Sequence, residues 1–315
     1  MSPPGWKPPG RFMLHRADGM RIPNQFLKAT VFVVSIARFA DDGSVLEYDF
    51  EGTGFLIGLR CKNCAGQSFF YLVTANHLVS NANVRYGVRI NLKQGGTTIV
   101  QIERWYKHPD PSVDVAVAPF INQYEQYDVV FLPEECFLGL KVQMASKDIG
   151  IGDEVFFAGL FSLTQQESDP RNRPILRMGN IAMLPSLPVP TEFGLMEAYL
   201  IEARSIGGIS GSPVLARQTM SIIWNDEVTG PVKALHGVTG ECFLIGVMHG
   251  HWDVKETEIN QARIEPTSSR SGVNVGIAIV SPFSKVLDII NQAELVEQRG
   301  KLEEAYLRHS GTTAD

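Results

Sequence analysis

The stretch GGISGSPVL, residues 207–215, places one serine among small residues and then runs directly into an apolar strand. A flexible linker would be more polar. The interior of a strand would hold fewer glycines, because glycine weakens a strand unless the backbone needs unusual dihedral angles or a close approach. The pattern therefore predicts that Ser210 is held on a tight turn, with accessible backbone N–H groups around it.

A candidate base and a candidate orienting group stand earlier in the chain. His77, in YLVTANHLVS, follows a strongly apolar strand, and Asp114, in HPDPSVDVAVAPF, precedes an alternating strand. A serine hydroxyl is a weak nucleophile that needs a base, a group that orients the base, and donors for the oxyanion. Taken singly, each of the three residues is equally well explained as part of a turn, a solvated strand end or a cap.

Short apolar runs rich in Val, Ile, Phe and Tyr recur along the chain and alternate with turn segments such as DDGS, QGG and VTGE. This pattern is typical of strands. No long helical pattern interrupts it, which argues against a parallel α/β sheet. The one clear helical pattern follows Pro282, with an expected break or kink at Gly300. We therefore predict two all-β halves, connected within residues 121–150, and then a helix.

Four motifs, GTGFLIG, LVTANH, DVAVAPF and GGISGSPVL, occur in an order that resembles the trypsin/chymotrypsin superfamily of serine peptidases. The stretch NVGIAIVSPFSKVLDII is similar to the last strand and helix of bacterial HtrA peptidases, and SGSPV is similar to the serine motif of glutamyl endopeptidases. The resemblance covers about residues 28–295. The four motifs together are far more specific than any one of them. We expect no PDZ domain after residue 290.

The resemblance implies an all-β, chymotrypsin-like fold with two six-stranded antiparallel β-barrels and a C-terminal α-helix. His77 and Asp114 would belong to the first barrel and Ser210 to the second. The expected segments are a disordered Pro-rich leader at 1–25, the first barrel at 26–135, the second barrel at 136–281, the helix at 282–309 and a frayed tail at 310–315.

The resemblance also implies a serine endopeptidase that cleaves peptide bonds through an acyl-enzyme intermediate. His77 would take the proton from Ser210, and Asp114 would fix the tautomer of His77. The backbone N–H groups of Gly208 and Ser210 would form the oxyanion hole. Ile209 departs from the family pattern, because trypsin-like enzymes usually carry Asp and HtrA-like enzymes Asn before the serine. Activation by pairing a new N-terminus with that Asp is impossible here, so the site must form without such cleavage.

The main alternative is a protease fold that has little or no activity and only holds a peptide or protein in its cleft. Ile209 favours this alternative, whereas the presence of all three triad residues favours the enzyme. An α/β-hydrolase is excluded, because it needs G-x-S-x-G between a strand and a helix and the order Ser, Asp, His. A cysteine nucleophile is disfavoured, because no cysteine has a matching context.

The expected substrate pocket draws on Arg204, Ser205, His249 and Gly250. A cation at Arg204 would favour an acidic side chain in the substrate, and His249 or His251 could assist. The alternative is that Arg204 pairs with Glu202 or with another acidic residue at the surface.

Composition limits the partners. The net charge is -6 and no basic block stands out, so we expect no nucleic acid. No apolar run is long enough for a membrane span. The start MSPPGWKPPGRF lacks the apolar stretch of a signal peptide. We therefore expect a cytoplasmic protein that acts on a protein or peptide substrate, without a cofactor or a metal in its site.

Cys61 and Cys64 form a C-x-x-C pair in the stretch CKNC. The pair could be half of a zinc site, a redox pair or a loop disulfide. A structural zinc needs four ligands, which His249 and His251 could complete only on paper. We favour a hairpin loop with two reduced thiols.

Overall fold

The computed structural model describes residues 22, 24–138, 149–161, 165–166, 168–191, 194–203, 208–218, 241–254 and 273–311. The helices within these ranges are α1 Asn24–Lys28, α2 Phe283–Ile290 and α3 Ala293–Gly311, with 3-10 helices at Asn76–Val79 and Glu134–Cys136. The strands are β1 Thr30–Phe39, β2 Val45–Arg60, β3 Ser68–Thr74, β4 Arg85–Asn91, β5 Thr97–Ile102, β6 Tyr106–Lys107, β7 Ala116–Pro119, β8 Leu132–Pro133, β9 Glu154–Gly159, β10 Ile175–Met183, β11 Pro188–Thr191, β12 Gly194–Glu197, β13 Tyr199–Glu202, β14 Pro213–Arg217, β15 Cys242–Val254 and β16 Val273–Pro282.

The first half of the chain forms an eight-stranded sheet in the order β5-β4-β1-β2-β3-β7-β6, with β8 paired in parallel to β2. Strands β6 and β8 have only two residues each, so the sheet consists mainly of six longer strands. Alternate side chains such as Val31, Leu56 and Val88 point into one apolar core. Burial of these β-branched and aliphatic side chains is what favours the strands here.

The second half forms a closed six-stranded barrel in the order β10-β13-β16-β15-β14-β9, and the hairpin β11–β12 is a separate two-stranded sheet that packs against β16. Its core contains Phe157, Tyr199 and Met248. An apolar cluster that includes Phe55 of β2 and Leu244 of β15 packs between the halves. The chain therefore has the all-β, chymotrypsin-like double-barrel fold that the motifs predict.

The C-terminal helical segment consists of two helices. Helix α2 buries Phe283, Val286 and Ile289 in the cluster between the halves. It ends where Asn291 N–H donates to Leu287 O, and α3 then turns onto the first sheet. Of the predicted break or kink at Gly300, the break is wrong, because α3 continues through Gly300. No helix in the described ranges is long and apolar enough to cross a membrane.

Some predicted segment boundaries differ from the structure. Helix α1 begins inside the predicted 1–25 leader, and α3 continues to Gly311, beyond the predicted end of the helix at 309. The remaining leader residues except Ile22, and residues 312–315, lie outside the described ranges.

A loop of the second half is tied to β4 of the first half. Asn172 donates from Nδ2 to Arg89 O at 2.6 Å, and its N–H donates to Asn91 Oδ1 at 2.7 Å. The buried Arg89 guanidinium donates to Asn172 Oδ1 at 3.3 Å and to the Asp169 carbonyl. A buried cation requires such acceptors. These contacts fix the two halves relative to each other, so that residues from both can share one site.

Candidate active site

His77 and Asp114 meet where two paired strands of the first sheet end. His77 lies in the 3-10 helix directly after β3, and Asp114 precedes β7, which pairs with β3. The His77 backbone N–H donates to Asp114 Oδ1 at 2.7 Å, and His77 Nδ1 lies 2.7 Å from Asp114 Oδ2. The Asp114 side chain is 2% exposed and that of His77 is 30% exposed. The imidazole is therefore oriented by a buried carboxylate while part of its ring faces solvent.

A second histidine contacts the same carboxylate. His249 of β15 places its Nδ1 2.5 Å from Asp114 Oδ2, and its ring stands nearly perpendicular to that of His77, with the centroids 5.6 Å apart. An ionised carboxylate can only accept hydrogen bonds. Both histidines therefore carry a hydrogen on Nδ1, and a neutral His77 has its lone pair on Nε2.

The charge of Asp114 is set by burial and by the two histidines. Burial opposes ionisation, but hydrogen bonds from His249 and His77 outweigh it and hold the pKa of the Asp114 carboxyl well below its usual range. Asp114 is therefore an anion at neutral pH. An anion in this position stabilises the positive charge that His77 acquires when it accepts a proton.

Ser210 lies on the tight turn that the sequence predicts. The backbone φ angles are +95° at Gly208 and +82° at Gly211, a region that glycine adopts without strain. Gly211 N–H donates to Met248 O at 2.7 Å, which fixes the turn against β15. A Cβ on Gly211 would collide with Thr53 O and Thr74 Oγ1. The small residues around Ser210 are therefore required by backbone conformation and by close packing.

Thr53 of β2 holds the serine turn from the other half of the molecule. Its backbone N–H donates to Ser210 O at 2.9 Å, and its hydroxyl donates to Gly208 O at 2.7 Å. The same hydroxyl oxygen accepts a bond from Leu160 N–H at 2.9 Å. Thr53 stands in the motif GTGFLIG, but the sequence alone indicates no role for it. Only the fold brings β2 against residues 208–210, so no local sequence signal could have identified this contact.

Ile209, which departs from the family pattern, is a core residue. Its side chain is 1% exposed and packs in the apolar core of the closed barrel. Burial of an aliphatic side chain of this size contributes about 1.5–3 kcal/mol. Ile209 therefore anchors the serine turn by apolar packing, at the position where the resemblance in sequence would lead one to expect a polar residue.

The predicted pocket residues fall into two groups. Arg204 and Ser205 lie outside the described residues, as does the side chain of His251. His249 contacts Asp114, and a Cβ at Gly250 would lie 3.9 Å from Ser210 Oγ. Glycine at 250 thus keeps the strand beside the serine free of a side chain. The predicted preference for an acidic substrate, which depends on Arg204, stays a prediction.

Among the described residues, two groups bring possible metal-ligand atoms within 4.8 Å of one another: His77, Asp114 and His249, and Cys61, Cys64 and Glu303. In the histidine group, hydrogen bonds between the two Nδ1 atoms and the carboxylate already use these atoms. In the cysteine group, both thiols are free and buried. Burial and the neighbouring Cys61 thiol raise the pKa of the Cys64 thiol to about 11.

No protein-family model matches the sequence, and no curated protein matches it. Solved structures are similar to it at low identity. The MamO protease domain from Magnetospirillum magneticum, in its apo form, is 12% identical with a TM-score of 0.45 over 85% of this chain and 98% of that chain. Deg5 is 15% identical with a TM-score of 0.42 over 84% of this chain and 89% of that one. An inactive form of Rv3671c from M. tuberculosis is 15% identical with a TM-score of 0.39 over 87% and 96% of the two chains.

Proposed function

We propose that this protein is a serine endopeptidase that hydrolyses peptide bonds through an acyl-enzyme intermediate. The observation that carries the proposal is the pair of contacts from the Asp114 carboxylate, one to the His77 backbone N–H and one to its Nδ1. Together they fix both the ring orientation and the tautomer, which is what a base for a serine hydroxyl requires. The turn that presents Ser210 supports the same proposal.

In this mechanism Ser210 Oγ attacks the carbonyl carbon of the substrate peptide bond while His77 Nε2 takes the hydroxyl proton. The oxyanion that forms is bound by the backbone N–H groups of Gly208 and Ser210. His77 then gives its proton to the leaving amine, and the acyl group stays on Ser210. A water molecule, deprotonated by His77, hydrolyses this ester and frees the serine. Asp114 remains ionised throughout and stabilises the imidazolium.

The substrate class in this proposal is an extended peptide or protein segment. Gly250 leaves the stretch of β15 beside Ser210 without a side chain, so a substrate backbone can approach the nucleophile there. An extended segment gains main-chain hydrogen bonds when it pairs with a strand edge. A preference for acidic side chains would come from Arg204 and is a separate proposal.

The buried position of Ile209 supports a site that forms without proteolytic activation. An apolar anchor needs no newly formed charged N-terminus to hold the turn, because packing in the barrel core supplies the restraint. The binding-only alternative drew its support from Ile209. This alternative stays open and is an outcome of the test below.

The test is labelling of the purified protein with a fluorophosphonate, which reacts with activated serines and needs no knowledge of the substrate. We expect the wild type to be labelled, and Ser210→Ala and His77→Ala to be unlabelled. Ser44→Ala, which removes an exposed hydroxyl in the β1–β2 turn, is the control and should be labelled like the wild type. Failure to label a wild type with a cooperative thermal transition would overturn the proposal and favour the binding-only function.

A further inference from the structure

The loop between β2 and β3 places two buried thiols against a carboxylate from the C-terminal helix α3. Cys61 and Cys64 are 4% and 2% exposed, although Lys62 and Asn63 between them are exposed. Cys61 N–H donates to Gln67 O at 2.9 Å, and Gln67 N–H donates to Cys64 O at 3.0 Å. This tight loop turns both sulfur atoms inward, to the same side. Glu303 completes the group, and the three ligand atoms lie within 4.8 Å of one another.

A cavity of about 160 Å³ lies at this group, lined by Cys61, Cys64, Gln67, Ser68, Phe69, Leu302, Glu303 and Tyr306. A water molecule occupies about 30 Å³ in the liquid, so the space exceeds what one ion and one water need. Two buried thiols beside a half-buried carboxylate would be an unusual lining for an ordinary packing gap, because each of these groups is a metal ligand.

We propose that Cys61, Cys64 and Glu303 form a Zn²⁺ site that joins the β2–β3 loop to α3. Thiolate sulfur binds Zn²⁺ at about 2.3 Å and carboxylate oxygen at about 2.0–2.2 Å. Donor atoms within 4.8 Å therefore need only a small contraction around a central ion. Soft thiolate ligands select zinc over magnesium and calcium, which prefer oxygen ligands. The fourth position faces the cavity and is taken by water.

A hydrogen bond already orients the carboxylate. Asn63 Nδ2, from the loop between the two cysteines, donates to Glu303 Oε1, which leaves Oε2 available for the ion. Bonds of this kind from outside the ligand set fix ligand orientation and raise metal affinity. Binding exchanges one proton from each thiol for the ion, so two protons are released per Zn²⁺. The site is independent of the proposed catalytic group and shares no residue with it.

The experiment measures Zn²⁺ binding to the full chain, purified and demetallated under reducing conditions, by competition with a chromophoric chelator. We expect the wild type to bind about one equivalent, Cys61→Ser and Cys64→Ser to bind none, and Glu303→Gln to bind 10-fold or more weakly. Glu304→Gln, one residue further along the same helix, and Cys242→Ser, a thiol in β15, are the matched controls. Both should bind Zn²⁺ like the wild type.

The absorption spectrum of bound Co²⁺ provides a second readout. It distinguishes cysteines that bind the metal from cysteines that only support the fold. Co²⁺ in the wild type should show sulfur-to-metal charge-transfer absorption that is absent in each single cysteine variant and in the double variant. The proposal is overturned if the wild type binds no more Zn²⁺ than the double variant, or if binding is lost in Cys242→Ser or His249→Ala instead. It is also overturned if the pair closes to a disulfide under air, with a mass loss of two hydrogens, and binds no Zn²⁺ after reduction.

Discussion

The group of His77, Asp114 and His249 and the group of Cys61, Cys64 and Glu303 are similarly compact, but they differ in their hydrogen-bond donors and acceptors. In each, three possible metal-ligand atoms lie within 4.8 Å of one another. The Asp114 carboxylate is already bound by N–H donors of His77 and His249, so donors and acceptors match inside that group. The cysteine group consists of two thiols and one carboxylate beside a cavity.

We infer from this difference that the balance of donors and acceptors, rather than proximity, decides what each cluster can do. Where each acceptor already has a donor, the cluster is suited to hold and move protons. Where sulfur and oxygen ligands converge on empty space, it is suited to hold a cation. Substitutions that change the balance in one cluster should therefore leave the other unchanged.

Asp114→Asn should reduce the second-order rate of fluorophosphonate labelling, or of peptide hydrolysis once a substrate is found, by about 10⁴-fold. The amide nitrogen of Asn is a donor facing the donors of His77 and His249, so at least one histidine must adopt the wrong tautomer. The thermal transition should persist and zinc binding should be unchanged. A labelling rate within threefold of the wild type would show that His77 does not depend on this carboxylate.

His249→Ala should have a smaller effect, because His77 keeps its own contacts with Asp114. Loss of one hydrogen bond to a charged group costs about 1.5–3 kcal/mol, so the free energy of unfolding in urea should fall by that amount. The labelling rate should fall by about 10- to 100-fold. His249→Asn keeps an N–H donor near the position of Nδ1 and should restore much of both losses. Equal losses in the two variants would contradict a role for the hydrogen bond from His249 to Asp114.

Thr53→Val tests whether the hydroxyl of Thr53, in the first half, holds the serine turn of the second half. Valine has nearly the same shape but lacks the hydroxyl, so Gly208 O loses its donor and Leu160 N–H loses its acceptor. Leaving buried polar groups unpaired costs about 1–3 kcal/mol each, and urea unfolding should show a loss of that order together with slower labelling. Thr191→Val removes an exposed threonine hydroxyl bond in the β11–β12 hairpin and should cost far less. Similar losses in both variants would contradict the special role of Thr53.

The sequence predicts the double-barrel fold and a candidate triad because four short motifs stand in one order along the chain. His77, Asp114 and Ser210 each stand in a short motif whose apolar strand and small residues are visible in the sequence. The contact between His249 and Asp114, and those of Thr53 with the serine turn, depend on strand register and on how the halves pack. Glu303 is one of many acidic residues on an amphipathic helix, and only the docking of α3 brings it to the cysteines.

The pH dependence of stability should differ between the wild type and Asp114→Asn. The folded-state pKa of Asp114 is depressed below its unfolded value of about 3.8, so its contribution is present above that pH and is lost as the pH falls through the lower folded-state pKa. The difference in unfolding free energy between the two proteins should therefore be largest above pH 4 and should shrink below it. Urea titrations at several pH values measure this, and a difference that is constant from pH 7 to pH 2.5 would contradict it.

Removal of zinc should have the smallest effect on catalysis. The cysteine loop and His77 flank opposite ends of β3, which is held on both sides by β2 and β7, so a change at the loop should stop before His77. After treatment with a strong chelator, the thermal transition should move to lower temperature while the fluorophosphonate labelling rate at 25 °C stays within about twofold, since only the folded fraction reacts. The Cys61→Ser/Cys64→Ser protein, treated in parallel, should show no further shift. A labelling rate that falls with the chelator in the wild type alone would mean that β3 transmits the state of the loop to His77, so that the two clusters form one coupled system.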